Sequence, residues 1–123
     1  MNKQMLALGR LKTNQMNNTE AEYSQYLRVL QQAGDILWFR FEGIKLRLAD
    51  KTFYTPDFFV LRSSFELEAH EVKGFMTDDA AVKIKVAAEM YPFRFVLVRK
   101  NAKKDGGRWK FQDYSTAHEE TTC

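Results

Sequence analysis

The sequence predicts an α+β (α/β) chain, a single domain with a central mixed β-sheet flanked by helices, and three observations carry that expectation. Apolar spacing is helical near residue 20, alternates through the middle of the chain, and turns helical again near residue 80. The resulting core order, αβββαβ with a short further strand, fits one sheet with a helix on each side. A length of 123 residues makes one domain, able to bury roughly two-thirds of its unfolded surface without staples.

Each element has its own signal. Residues 1–17 are polar, lack periodicity and read as a basic flexible arm, with the domain proper at 18–114 and a polar tail at 115–123. Tyr23, Tyr26, Leu27 and Leu30 sit at helical spacing, and Gly34 follows as a cap. Thr19 and Glu22 have capping-box spacing, which starts the helix at Thr19. Residues 36–42 form a bulky first strand, and Ile44, Leu46 and Leu48 alternate with Lys45 and Arg47 as a half-buried one. Asp50-Lys51 turns into a strand over 53–61, and Arg62-Ser63-Ser64 turns into another over 65–73. Thr77-Asp78-Asp79 opens a second helix ending near Met90, before Pro92. Residues 93–99 are apolar on both faces, as a central strand is. Asp105-Gly106-Gly107 turns into a last strand over 108–111.

Composition excludes several functions. The single cysteine, Cys123, rules out an intrachain disulfide, and two distant histidines make a histidine metal site improbable. No apolar run approaches the roughly 18 residues a membrane span needs, and the N-terminus lacks a signal-peptide core. The expectation is a cytoplasmic protein with no membrane partner. Basic residues concentrate in the arm (Lys3, Arg10, Lys12) and in the segment Arg99, Lys100, Lys103, Lys104, Arg108, Lys110. Two basic patches around an acidic middle suit a polyanion gripped at its edges, with plain solubility as the alternative.

Strand 65–73 holds the chemistry. Alternation puts Phe65, Leu67, Ala69, Glu71 and Lys73 on one face and turns His70 away, to a structural role. A hairpin centred near Ser64 sets Asp57 opposite Glu71. Opposed carboxylates repel. The pair makes sense around a divalent cation with Lys73 alongside, and hard oxygen ligands suit Mg2+ or Mn2+. The alternative is an ordinary Asp/Glu/Lys ion-pair cluster.

Pro56-Asp57, thirteen residues, then Glu71-Val72-Lys73 resembles the signature of the PD-(D/E)xK nuclease superfamily. The likeness spans about residues 18–100, and residues 53–58 with 70–74 look like small phage and prophage members. The resemblance implies a restriction-endonuclease-like core and a metal-dependent endodeoxyribonuclease in a bacterial host cell. It also implies action on DNA junctions, branches or replication, repair and recombination intermediates. By position, Asp57, Glu71 and the Val72 carbonyl would hold the metal, and Lys73 would orient the attacking water. Members often add an acid from the first helix. Glu20 shares the stripe of Tyr23 and Leu27 and is assigned there, with Glu22 as a cap and Glu42 as a weaker candidate. Lys83 on the second helix would contact phosphate, with Lys100, Lys103, Lys104, Arg108, Arg10 and Lys12 as further DNA contacts. Lys85 cannot share Lys83's face. Tyr54 and Trp109 could stack on bases or simply pack. Junction-cutting relatives act as homodimers. The alternatives are a non-catalytic nucleic-acid-binding module and a phage–host interaction protein on the same fold.

Overall fold

The computed structural model describes residues 15–74, 77–101 and 108–115. Helix α1 (Asn18–Ala33) leads into strand β1 (Ile36–Phe41), β2 (Leu46–Ala49), β3 (Thr52–Tyr54), β4 (Phe58–Arg62) and β5 (Leu67–Val72). Helix α2 (Asp78–Met90), β6 (Arg94–Lys100) and β7 (Trp109–Asp113) complete the order. Five strands form one mixed sheet in the order β1-β4-β5-β6-β7, and β2 pairs with β3 in a separate ribbon. β5 and β6 run parallel. A parallel pair needs a crossover, and α2 is that crossover. The expected α+β domain is thus present as a mixed sheet with two helices.

Two apolar layers sandwich the sheet. Under α1, Tyr23 and Leu27 pack on Ile36, Phe58, Val60, Val72, Val96 and Val98. On the other face, Ile84, Ala87 and Ala88 of α2 pack with Leu46, Tyr54, Phe59, Ala69 and Phe95. Both faces of β5 are therefore covered, so Glu68 and His70 are buried as well as Glu71. His70 turns to the α1 face, away from Glu71, as alternation predicts: its Nδ1 lies 2.7 Å from the Tyr23 hydroxyl and its Nε2 lies 2.8 Å from Glu68 Oε1.

Several boundaries differ from the sequence reading, each for a local reason. The helix cap is Asn17, whose side chain accepts the Glu20 N–H at 2.8 Å while Glu20 Oε1 accepts the Asn17 N–H at 2.9 Å. Asparagine satisfies the orphan N–H groups at least as well as threonine, so the capping box is Asn17/Glu20 and not Thr19/Glu22. Met16 packs on the α1 core, so the domain begins inside the expected arm. At the other end Ser115 Oγ accepts the Phe95 N–H at 2.8 Å, which draws the first residue of the expected tail into the domain. The 53–61 strand is two strands, β3 and β4, separated by Thr55-Pro56-Asp57. Proline cannot donate to a ladder, and it breaks the run there. Phe65 has φ 72 and belongs to the β4–β5 turn, not to β5. The Asp105-Gly106-Gly107 turn lies outside the described residues. Among the described residues no helix is long and apolar enough to cross a membrane.

Candidate active site

The β4–β5 ladder pairs Leu61 with Leu67, Phe59 with Ala69 and Phe58 with His70. One step further along the same register, Asp57 falls opposite Glu71. They are 9% and 6% exposed, so two acidic side chains are buried side by side. The consequence is visible in their protonation. Burial, then the Glu71 charge, pushes Asp57 up to about 8, with Glu20 adding to the rise while the Val72 N–H and Lys73 oppose it. Burial likewise raises Glu71, against the pull of Tyr54 and Lys73.

Each carboxylate has a dedicated holder. Glu71 Oε1 accepts the Tyr54 hydroxyl at 2.8 Å, and Glu71 Oε2 lies 3.3 Å from Lys73 Nζ. Burial works to lower the Lys73 ammonium's pKa, but Glu71 and Asp57 outweigh it and the net direction is up. Lys73 thus stays a cation beside the pair. Asp57 Oδ2 accepts the Val72 N–H at 2.8 Å.

The proline before the aspartate acts on the other polar group of Val72, its carbonyl. The Arg62 N–H bonds the Glu66 carbonyl at 2.9 Å, which marks the hydrogen-bonded positions of this antiparallel ladder. Stepping by two residues, Pro56 and Val72 form another such pair. Pro56 has no N–H to give. The Val72 carbonyl on that edge therefore receives no ladder bond from Pro56, while the Val72 N–H is held by the Asp57 carboxylate. Asp57, Glu71 and the Val72 carbonyl are thereby gathered at one end of the β4–β5 hairpin.

The other expected site residues divide. Glu20 shares the sheet-facing side of α1 and its charge reaches Asp57 and Lys73, while its Oε1 serves the cap. Glu22 is not a cap: Lys100 Nζ lies 2.8 Å from Glu22 Oε2, so both are committed to each other on the surface. Glu42 donates its backbone N–H to the Asp57 carbonyl at 2.8 Å and sits at φ 50, which ties it to the site through its backbone. Lys83 lines an open groove with Glu71, whereas Lys85 is not among that groove's walls. Arg108 is exposed. Arg10, Lys12, Lys103 and Lys104 lie outside the described residues. Trp109 packs edge-on against Tyr23, with ring centres 5.0 Å apart, and is half-buried against the α1 core. Tyr54 is buried and holds Glu71, a role the sequence reading missed. Its spacing three residues before Asp57, on an alternating strand, was the available signal.

Among the described residues no three His, Cys, Asp or Glu side chains converge to hold a metal ion. The donor set at the hairpin end is two carboxylates and a carbonyl. Magnesium is commonly bound by one or two carboxylates, its remaining positions filled by water and substrate phosphate, so this set fits it. A larger cavity of about 470 Å³ lies under α1, lined by Arg62, Glu68, His70, Arg94 and Asp113. Its charges neutralise one another: Glu68 is flanked by Arg62, Arg94 and His70, and Arg94 bonds Asp113.

Glu20 allows a direct separation of cap from charge. Glu20→Ala should lose the reciprocal half of the capping box and cost about 0.5 kcal/mol of stability. Glu20→Gln should keep the cap, because glutamine serves the same position, and should lower the pH at which Asp57 ionises. Denaturation curves with NMR titration of Asp57 check both, and an unchanged Asp57 titration in Glu20→Gln would remove Glu20 from the site. Comparison with protein-family models, with curated proteins and with solved structures finds no match to this chain.

Proposed function

We propose that the chain is a metal-dependent endonuclease that hydrolyses phosphodiester bonds in DNA. The observation that carries the reading is the buried Asp57–Glu71 pair with Lys73 at the hairpin end. Two acids held together at a cost in stability are arranged for a cation. When bound there, Mg2+ or Mn2+ would polarise the phosphate and lower the pKa of an attacking water. The chain's own residues supply the rest. Tyr54 fixes the rotamer of Glu71, and the Val72 N–H fixes that of Asp57. Lys73 places a permanent cation where negative charge would develop on the transferring phosphoryl group. Lys83, in the adjoining groove, is placed to meet a flanking phosphate. A cytoplasmic, phage-related nuclease acting as a homodimer on branched DNA is the finer form of this proposal.

A cleavage panel tests it. Nicked, flapped, branched and plain duplex DNA should include at least one substrate that is cut in Mg2+ or Mn2+ and spared in EDTA. No cut on any substrate in either metal would end the enzymatic reading, and retained DNA binding in that case would favour the non-catalytic module.

A further inference from the structure

Apart from Tyr54, the β2–β3 ribbon is unused by the proposed chemistry. Its inner face is accounted for: Leu46 and Tyr54 pack against Ile84, Ala87 and Ala88. Its outer face is unusual. Arg47 stands directly opposite Phe53 in the register. Lys45 Nζ lies 4.6 Å from the centre of the Phe53 ring. Phe53 itself is 41% exposed. Two cations and an open aromatic ring on one surface are the parts with which proteins hold single-stranded nucleic acid. Cations follow the phosphates, and the ring stacks on a base whatever its identity. An ammonium over one side of the ring leaves the other side to a base.

Position separates this from ring shelter by a lysine stem. Phe53 lines the groove of about 340 Å³ whose walls are Tyr54 and Thr55 on one side and Thr77, Asp79 and Lys83 on the other, with Glu71 at its base. The volume lies at the small end for ligand pockets, roughly 300–1,000 Å³, and suits one nucleobase with its sugar. Its charges are two acids, Glu71 and Asp79, against Lys83. That balance disfavours any phosphate inside the groove beyond the one that meets Lys83, and leaves the exposed Asp79 as an acceptor for a base amino group. The other phosphates belong on Lys45 and Arg47, beyond the ring.

We infer that the groove seats the base of one unpaired nucleotide, stacked on Phe53, with the neighbouring phosphates running over Lys45 and Arg47. The substrate class is then nucleic acid with a single-stranded segment abutting the cut, not uninterrupted duplex, whose bases are paired and cannot enter. The inference rests on the nuclease reading only for where the cut falls.

The test uses the full chain in EDTA, so that nothing is cleaved. The probe is a short single-stranded oligonucleotide carrying 2-aminopurine, alone or annealed to its complement. The single strand should bind, with quenching of 2-aminopurine, and the duplex should bind more weakly. Phe53→Ala should weaken binding roughly tenfold and abolish the quench, while Phe53→Trp should retain both. Lys45→Ala and Arg47→Ala should each flatten the salt dependence of binding. Duplex bound as tightly as single strand, or Phe53→Ala behaving as the parent, would overturn the inference. Phe53-dependent binding without cleavage of any substrate in metal would sink the nuclease reading and leave this site standing. Metal-dependent cleavage with no role for Phe53 would do the reverse.

Discussion

Asp57→Asn should abolish metal-dependent cleavage and, at pH 8, raise the melting temperature of the metal-free protein. The two effects have one cause. The amide oxygen that replaces the carboxylate can still accept the Val72 N–H, so the hairpin end keeps its shape. The amide no longer sets a charge against Glu71 in a buried place. Relief of that repulsion is worth on the order of 1 kcal/mol, or about 4 °C for a domain of this size. Loss of a hard anionic ligand should cut activity by at least about a hundredfold. Lys73→Ala is the matched control. It should be equally inactive but less stable than the parent above pH 8, because it removes the cation that offsets the pair. Cleavage assays alongside calorimetry decide the matter. An Asp57→Asn protein that cuts normally would remove the site assignment, and one that is inactive but no more stable would refute the account of repulsion.

Without metal, stability should fall as pH rises across a defined window. Asp57 ionises near 3.8 when unconstrained and at about 8 in the folded chain. Between those values the folded state holds a proton that the unfolded state has released, so stability decreases with increasing pH. The contribution is complete below about pH 4 and gone above about pH 8. Glu71 is raised in the same direction. Mg2+ or Mn2+ should reverse the loss, since a cation bound only by the folded chain stabilises it by mass action, about 2.7 kcal/mol at a hundredfold excess over Kd. Melting temperatures from about pH 5 to about pH 9, with EDTA or with metal, give the measurement. Metal should lift the parent most at the alkaline end and leave Asp57→Asn nearly unchanged. A flat metal-free profile would contradict the burial of two acids, and equal metal effects on both proteins would place the ion elsewhere.

Much of this site was legible because hairpin arithmetic is local. A turn near Ser64 puts Asp57 across from Glu71 with no knowledge of the rest of the fold, and the ladder follows that register. Thr77 as the cap of α2 was readable for the same reason. What escaped depended on partners distant in the chain. That α1 would cover Glu68 and His70 needed the sheet order, in which β5 lies at the centre. Tyr54 read as an aromatic that stacks on a base or packs, and not as a carboxylate holder, because its partner, Glu71, is seventeen residues away. The basic reading favoured the chain's ends, since Lys45 and Arg47 stood as the polar half of an alternation and not as one surface with Phe53. The first cap was missed by a competition of near-equals, Asn17 against Thr19, which local propensity does not separate.

The buried acid pair also bears on how this chain can drift. Most random substitutions destabilise a protein, and the rare ones that help are taken up freely when nothing opposes them. On the result expected above, position 57 offers such a gain: a single-nucleotide change from aspartate to asparagine would keep the backbone bond and remove the repulsion. A lineage under selection for folding alone would cross that step readily and would not return. On the nuclease proposal the acid pair is kept against that gain, because the cation site needs both carboxylates.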